Sequence, residues 1–263
     1  MFIIGELING MYRQIAAALK AKDAAAIQNC ARQQLAAGAQ ALDINCGPGS
    51  ADPVRDMVWL VETVQSVAAS MIVLDASKPA VIEAGLQAAR VPTMINSTTA
   101  DREKLEVLVG LARRYNAKLI GLAMDARGIP QNKDQRLELA ASIVSFCAEK
   151  EFPLEDLYLD PVLLPVKVGQ AHLEAILESI REFKIISRPS PKTVVGLSNV
   201  SQGIPAVRSL INRTFLSMAA AAGLDAAILD PLDKDLMDTL ITAEVILNKE
   251  IYCDSFLTGR RKK

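Results

Sequence analysis

Met71-Ile72-Val73-Leu74-Asp75 is a short, β-rich apolar run that stops on a carboxylate, and after Ser77-Lys78-Pro79 and a helical stretch the chain repeats the pattern at Thr93-Met94-Ile95-Asn96-Ser97. Such a unit reads as strand, helix, strand: the runs have strand length, and Pro79 suits the first turn of a helix that Ser77 can cap. Working outward, runs of the same kind stand at 2–6, 41–45, 118–124, 157–161, 192–198 and 226–230. Helical periodicity fills the intervals, as where Leu137, Ala141, Val144 and Ala148 fall on one face. Asp233 can cap the last helix, and Gly38 can end the helix before Ala41. Eight strand-then-helix units without a linker predict a closed (β/α)8 barrel, a TIM barrel, rather than an open doubly wound sheet.

The chain has 263 residues, which matches a barrel of about 250 residues folding as one domain over 1–263. Apolar residues make up 51% and aromatics only 4%, so the core should be built from Ala, Leu, Ile and Val. Two places are less regular. Residues 10–38 hold more helix than one unit needs, with a break expected near Lys20–Asp23, and residues 125–133, with Gly128 and Pro130, read as a longer loop on the upper face. After the last helix, order is expected to Phe256, followed by a loose tail over 257–263 that carries Arg260-Arg261-Lys262-Lys263.

Lys and Arg number 29 against 30 Asp and Glu, and this balance gives no electrostatic case for nucleic acid or an anionic membrane. No apolar run approaches membrane-spanning length, and Glu6 comes too early for a signal peptide. Cys30, Cys46, Cys147 and Cys253 are dispersed, which fits a reduced, cytoplasmic protein and suggests no zinc site. The single histidine, His172, is expected as a structural or surface residue in the helix after strand six. No GxSxG elbow supports a serine nucleophile, and no resident metal is expected.

In a barrel of this kind the functional face lies at the C-terminal ends of the strands. There the sequence places Glu6 and Asn9, Asp43 and Asn45, Asp75, Asn96 and Ser97, Asp125, Asp160, Ser198 and Asn199, and Asp230. A ring of carboxyls and amides with almost no Lys, Arg or His does not suit a phosphate, which calls for cations or an exposed helix N-terminus. It suits a flat heterocycle offering N–H donors beside ring-nitrogen acceptors, although the residues alone do not separate a pterin from, for example, a sugar. Gly196 and Gly203 flank this ring, where a glycine permits close approach of a ligand to the backbone.

The motifs Phe2-Ile3-Ile4-Gly5-Glu6-Leu7-Ile8-Asn9-Gly10, Leu42-Asp43-Ile44-Asn45, Met94-Ile95-Asn96-Ser97 and Gly196-Leu197-Ser198-Asn199-Val200-Ser201 are specific when taken together. With Asn212-Arg213-Thr214-Phe215 and Tyr252-Cys253-Asp254-Ser255-Phe256, they carry a resemblance across essentially the whole chain. It resembles the methyltetrahydrofolate:corrinoid/iron–sulfur protein methyltransferases of the reductive acetyl-CoA (Wood–Ljungdahl) pathway of carbon fixation. That resemblance implies a pterin-binding barrel related to dihydropteroate synthase and to the folate module of cobalamin-dependent methionine synthase, and a homodimer. It implies that the N5-methyl group of 5-methyltetrahydrofolate passes to a Co(I) corrinoid (cobalamin-type) held by a partner protein. Asp75, Asn96 and Asp160 would then contact the pterin, with Asn199 beside the methyl-bearing nitrogen and Gln202 in the following loop. Ser198, Glu6 and Asp43 complete the candidate substrate site, and Asn199 and Asp75 are the candidate catalytic pair. His172 lies outside any Asp-x-His-x-x-Gly cobalt-binding motif, so the corrinoid is expected on another polypeptide. A same-fold methyltransferase for a different corrinoid protein, a dihydropteroate synthase and a non-catalytic folate-binding subunit are the alternatives. The synthase would want a lysine where Ser198-Asn199 stands.

Overall fold

A computed structural model describes residues 1–252. Cys253, the ordered stretch expected to reach Phe256 and the basic tail fall outside the described residues. Eight parallel strands close into a barrel in sequence order: β1 (Phe2–Asn9), β2 (Ala41–Asn45), β3 (Met71–Asp75), β4 (Thr93–Thr99), β5 (Lys118–Leu122), β6 (Leu157–Asp160), β7 (Lys192–Gly196) and β8 (Ala226–Leu229). The last strand returns to the first through the register Gly5 with Leu229. Around them lie α1 (Arg13–Ala21), α2 (Ala24–Ala36), α3 (Pro53–Gln65), α4 (Pro79–Ala88), α5 (Arg102–Tyr115) and α6 (Lys133–Glu149). The circle is completed by α7 (Val166–Gly169), α8 (Leu173–Phe183), α9 (Arg208–Ala221) and α10 (Lys234–Ile246). None of these helices is long and apolar enough to cross a membrane.

The barrel follows from two kinds of burial. Side chains alternate across each strand, and the inward set of Ile4, Ala41, Val73, Met94, Ile120, Tyr158, Val194 and Ala226 packs together in the interior. The outward set, including Leu42, Ile72, Leu74 and Ile95, packs against Ile27, Met57, Leu60 and Ile82 of the surrounding helices. Among the described residues, four of the ten helices start on a side-chain cap. Asp23, Asp52, Asn132 and Asp233 each accept a backbone N–H of the first turn, and the break between α1 and α2 lies at Lys22, in the left-handed region at φ 52°.

Several expectations need correction. Ser77 does not cap α4; the N-cap is Lys78, which makes no side-chain capping bond, and Pro79 follows it in the first turn. Helix α6 forms, but its buried face runs through Arg136, Leu139, Ala140, Ile143 and Cys147, whereas Ala148 is exposed. Of the expected stripe, Val144 is buried and Leu137 and Ala141 are half-buried, and fully buried Arg136 takes a core position beside them. Its Nε donates to the Pro161 carbonyl at 2.9 Å and its Nη1 to that of Asn132 at 3.1 Å, tying the loop before α6 to the exit of β6. His172 closes a 3-10 turn ahead of α8, where its Nδ1 is 2.9 Å from the carbonyl of Gln131.

Two irregularities in the barrel decide what reaches its upper end. Between Gly5 and Ile8, β1 advances three residues while β2 advances two, from Leu42 to Ile44. Between Asn96 and Thr98, β4 advances two while β5 advances one. Each extra residue is a bulge, which resets the alternation of side chains. In β1 the freed N–H of Leu7 donates to Gln34 Oε1 at 3.0 Å, and Gln34 is fully buried on α2. Gly5 makes that approach possible, since a Cβ there would lie 2.4 Å from the same oxygen.

Candidate functional site at the barrel mouth

The inward sets of five strands end on a polar residue at the C-terminal end: Glu6 after Ile4, Asp43 after Ala41, Asp75 after Val73, Asn96 after Met94, and Asp160 after Tyr158, whereas β5, β7 and β8 bring Leu122, Gly196 and Ile228. The alternation that buries the apolar layer therefore carries the carboxyls inward as well. The two bulges add Asn9 and Ser97, each of which would otherwise face away. Together these side chains line a cavity of about 500 Å³, closed on one side by Tyr12 of the β1–α1 loop and by residues 198–205 and Arg208 after β7. All of Glu6, Asp43, Asp75, Asn96, Asp160, Ser198, Asn199 and Gln202 line this cavity.

Three other strand-end residues do not. Asn45 stands behind Asp75, donating from Nδ2 to Asp75 Oδ2 at 2.7 Å while its Oδ1 accepts the Gly47 N–H. Asp125 is turned into its own loop, paired with Arg127. Asp230 accepts the N–H of Leu232 at 2.9 Å and anchors the turn before α10. The strand boundaries explain part of this. Strand β5 ends at Leu122 and β7 at Gly196, so Ser198 and Asn199 belong to a 3-10 turn, Leu197–Ser201, rather than to the strand itself.

Burial holds the carboxyls of the ring above their ordinary pKa values. Burial raises the pKa of Asp43 well above the usual carboxylate range, and the nearby Asp75 raises it further, against a bond donated by Asn96 Nδ2 at 3.0 Å. Asp75 is raised by burial, with the bond from Asn45 opposing. Asp160 is pushed up to about 7 by burial despite accepting the N–H groups of Val162 and Gly196. Burial costs a charged carboxylate its hydration, and no cation in the ring restores it. Glu6 differs: burial raises its pKa too, but Ser198, Arg208 and Tyr12 all oppose the rise.

Arg208 was not legible at the strand ends, because it enters the mouth from the first turn of α9. Its Nη2 donates to Glu6 Oε1 at 3.2 Å and to Ser198 Oγ at 2.8 Å, so the mouth contains a cation that the strand-end ring lacks. Gly196 serves close approach as expected, but of the neighbouring turn: a Cβ there would lie 3.0 Å from Asn199 Nδ2. Gly203 has φ +80° and turns the chain just after Gln202. Among the described residues, no three of His, Cys, Asp and Glu are grouped so that they could hold a metal ion.

Fold and site together define a (β/α)8 barrel protein with a carboxyl- and amide-lined cavity at the C-terminal ends of its strands. The chain belongs to the pterin binding enzyme family, whose profile matches residues 7–230. It is 26% identical to the methylcorrinoid:tetrahydrofolate methyltransferase of Eubacterium limosum over its whole length and 97% of that protein. It is also 27% identical, over 87% of its length, to the methionine synthase of Mycobacterium tuberculosis, of which it spans only 20%. Among solved structures, the dihydropteroate synthase of Yersinia pestis in a sulfonamide drug complex superposes with a TM-score of 0.70 at 16% identity, over 95% of this chain and 94% of that one. That of Coxiella burnetii with pteroic acid gives 0.68 at 12% identity, over 95% and 94%. At these identities the two structures speak for the barrel alone.

Proposed function

We propose that this chain, as a homodimer, moves a methyl group between N5 of tetrahydrofolate and the cobalt of a corrinoid carried by a separate protein. The observation that carries this reading is the composition of the mouth: buried or half-buried carboxyls and half-buried amides at the strand ends, with Asn199 exposed on the turn above them. A pterin edge presents N–H donors beside a ring-nitrogen acceptor, which carboxylates and an amide can match. Asp75, Asn96 and Asp160 are assigned to that edge, Asp43 to holding Asn96, and Glu6, Ser198 and Gln202 to the rim. Arg208, the one basic residue among the described residues lining the cavity, is already engaged by Glu6 and so does not offer a free charge to a pyrophosphate. That counts against the dihydropteroate synthase alternative.

The reaction balances as follows. Towards methylcorrinoid, cobalt(I) supplies both electrons of the new cobalt–carbon bond, and the carbon–N5 pair stays on nitrogen, which takes a proton. The leaving nitrogen must gain positive character, and a hydrogen bond from the Asn199 amide that strengthens as charge develops lowers that barrier. The amide cannot itself deliver the proton. The proton is assigned to solvent or to a network that includes Asp75, whose pKa burial raises.

The name of the E. limosum relative puts methylcorrinoid first, as donor. Since a group that stabilises a transition state acts on both directions, the same residues serve either. The partner assigned is a corrinoid/iron–sulfur protein of the acetyl-CoA pathway, with a different corrinoid protein as the alternative. The deciding experiment supplies methyltetrahydrofolate with cob(I)alamin, and methylcobalamin with tetrahydrofolate, under anaerobic conditions, and follows cobalt absorbance against a no-enzyme control. Transfer in both directions is expected. Pterin binding without transfer in either direction, with free cobalamin or either partner protein, overturns the proposal in favour of a folate-binding subunit.

A further inference from the structure

The turn that carries Asn199 is anchored by Leu197, Val200 and Ser201, all buried, while Asn199 itself stands out from it. Residues Leu197–Ser201 make a single 3-10 turn, Asn199 and Gln202 are exposed, and the chain swings away at Gly203 with φ +80°. The side chain next to Asn199 is held in addition by a closed triangle of hydrogen bonds. Ser198 Oγ donates to Glu6 Oε1 at 2.6 Å, Arg208 Nη2 donates to Ser198 Oγ at 2.8 Å, and the same nitrogen donates to Glu6 Oε1 at 3.2 Å. The Tyr12 hydroxyl adds a fourth, longer bond to that carboxylate oxygen at 3.3 Å.

The Ser198 hydroxyl is thus donor and acceptor at once, so its rotation is fixed and the backbone at the next residue is fixed with it. One corner of the triangle, Glu6, belongs to β1, next to the bulge secured by Gln34; another, Arg208, belongs to α9. The turn is therefore held from both sides of the barrel closure, and two of its three bonds are charge-assisted with the donor on Arg208. We propose that Arg208 is a positioning residue for the methyl-transfer step, acting through the Ser198 hydroxyl and the Glu6 carboxylate to set the place of the Asn199 amide. This inference rests on the functional reading above, in which Asn199 faces the reacting nitrogen.

A double-mutant cycle tests it, because residues that act through one another fail to add. The rate of methyl transfer from methyltetrahydrofolate to cob(I)alamin is measured in single turnover for the unmodified enzyme, Arg208→Gln, Asn199→Ala and the double variant. Dissociation constants for methyltetrahydrofolate are measured alongside by calorimetry. Arg208→Gln is expected to slow transfer about 10-fold with the dissociation constant held within about twofold, and to have no further effect once Asn199 is alanine. A role confined to holding the fold would slow both backgrounds equally. Should Arg208→Gln fold poorly, Ser198→Ala removes the middle of the triangle without stranding a charge and enters the same cycle. Additive losses, or an unchanged rate in either variant, overturn the positioning role. If Asn199→Ala leaves the rate untouched while methyl transfer itself is present, the positioning proposal falls and the functional reading stands. If the unmodified enzyme transfers no methyl group, both fall together.

Discussion

Asn199 cannot ionise near neutral pH, so whatever it contributes to a reaction at the mouth comes from a hydrogen bond whose strength changes along the path. Asn199→Ala is therefore expected to lower the methyl-transfer rate about 100-fold while leaving methyltetrahydrofolate binding within a few-fold, measured by single-turnover absorbance and calorimetry. A loss confined to binding would assign it to the ground state instead. At this scale the sequence was legible where a strand's inward alternation ends on a polar side chain, as at Asp43, Asp75, Asn96 and Asp160. It was misleading at Asp125 and Asp230, where the strand has already ended and the carboxylate serves its own loop. Arg208 went unseen because it belongs to a helix, and nothing in the local pattern of Ala206-Val207-Arg208-Ser209 separates a mouth-facing arginine from a solvated one.

The elements themselves were legible in number and order, since each combines an apolar run of strand length with a helical period. Their fine structure was not. A bulge has no fixed sequence signature, and the two in β1 and β4 come into view only through the register against β2 and β5. The β1 bulge depends on Gln34, so Gln34→Leu leaves the Leu7 N–H buried without a partner and is expected to cost about 1–3 kcal/mol in chemical denaturation. An unchanged midpoint would mean that water or a shifted backbone replaces that bond. The helix ends allow a paired comparison. Asp233 accepts the Leu236 N–H at 3.1 Å and caps α10, whereas Ser77 does not cap α4. Asp233→Ala should cost about 1 kcal/mol, a fall of roughly 2–4 °C in Tm for a chain of this size, and Ser77→Ala should fall within about 0.5 kcal/mol of the parent. Equal losses from the two substitutions would contradict the capping assignment.

At the scale of the whole molecule, the mouth gathers carboxyls whose pKa values burial raises: Asp43, Asp75, Asp160 and, against its three donors, Glu6. In the unfolded chain such groups lose their protons near pH 4, whereas in the folded, ligand-free barrel Asp160 holds its proton up to about pH 7. Between those values the folded state binds more protons than the unfolded one, so the contribution of Asp160 to stability is fully present below about pH 4 and is lost as pH rises through 7. The lowered carboxyls Asp56 and Asp125 change stability only below the ordinary carboxylate range and leave this window untouched. For Asp160 alone, about three units at about 1.4 kcal/mol each give on the order of 4 kcal/mol as an upper bound. Asp160→Asn removes the titration while keeping the shape, so without ligand the variant should gain stability relative to the parent by several degrees in Tm on going from pH 5 to pH 8. Tm curves that stay parallel across that range would show Asp160 ionised throughout. A bound pterin that donates N–H bonds to this carboxylate favours its ionised form and must displace the proton to do so. Below pH 7 that displacement opposes binding, so affinity should rise with pH and level off above it, with close to one proton released per pterin at pH 6. Calorimetry in buffers of different ionisation enthalpy reads that proton directly, and binding without proton release would place the pterin edge on acceptors other than Asp160.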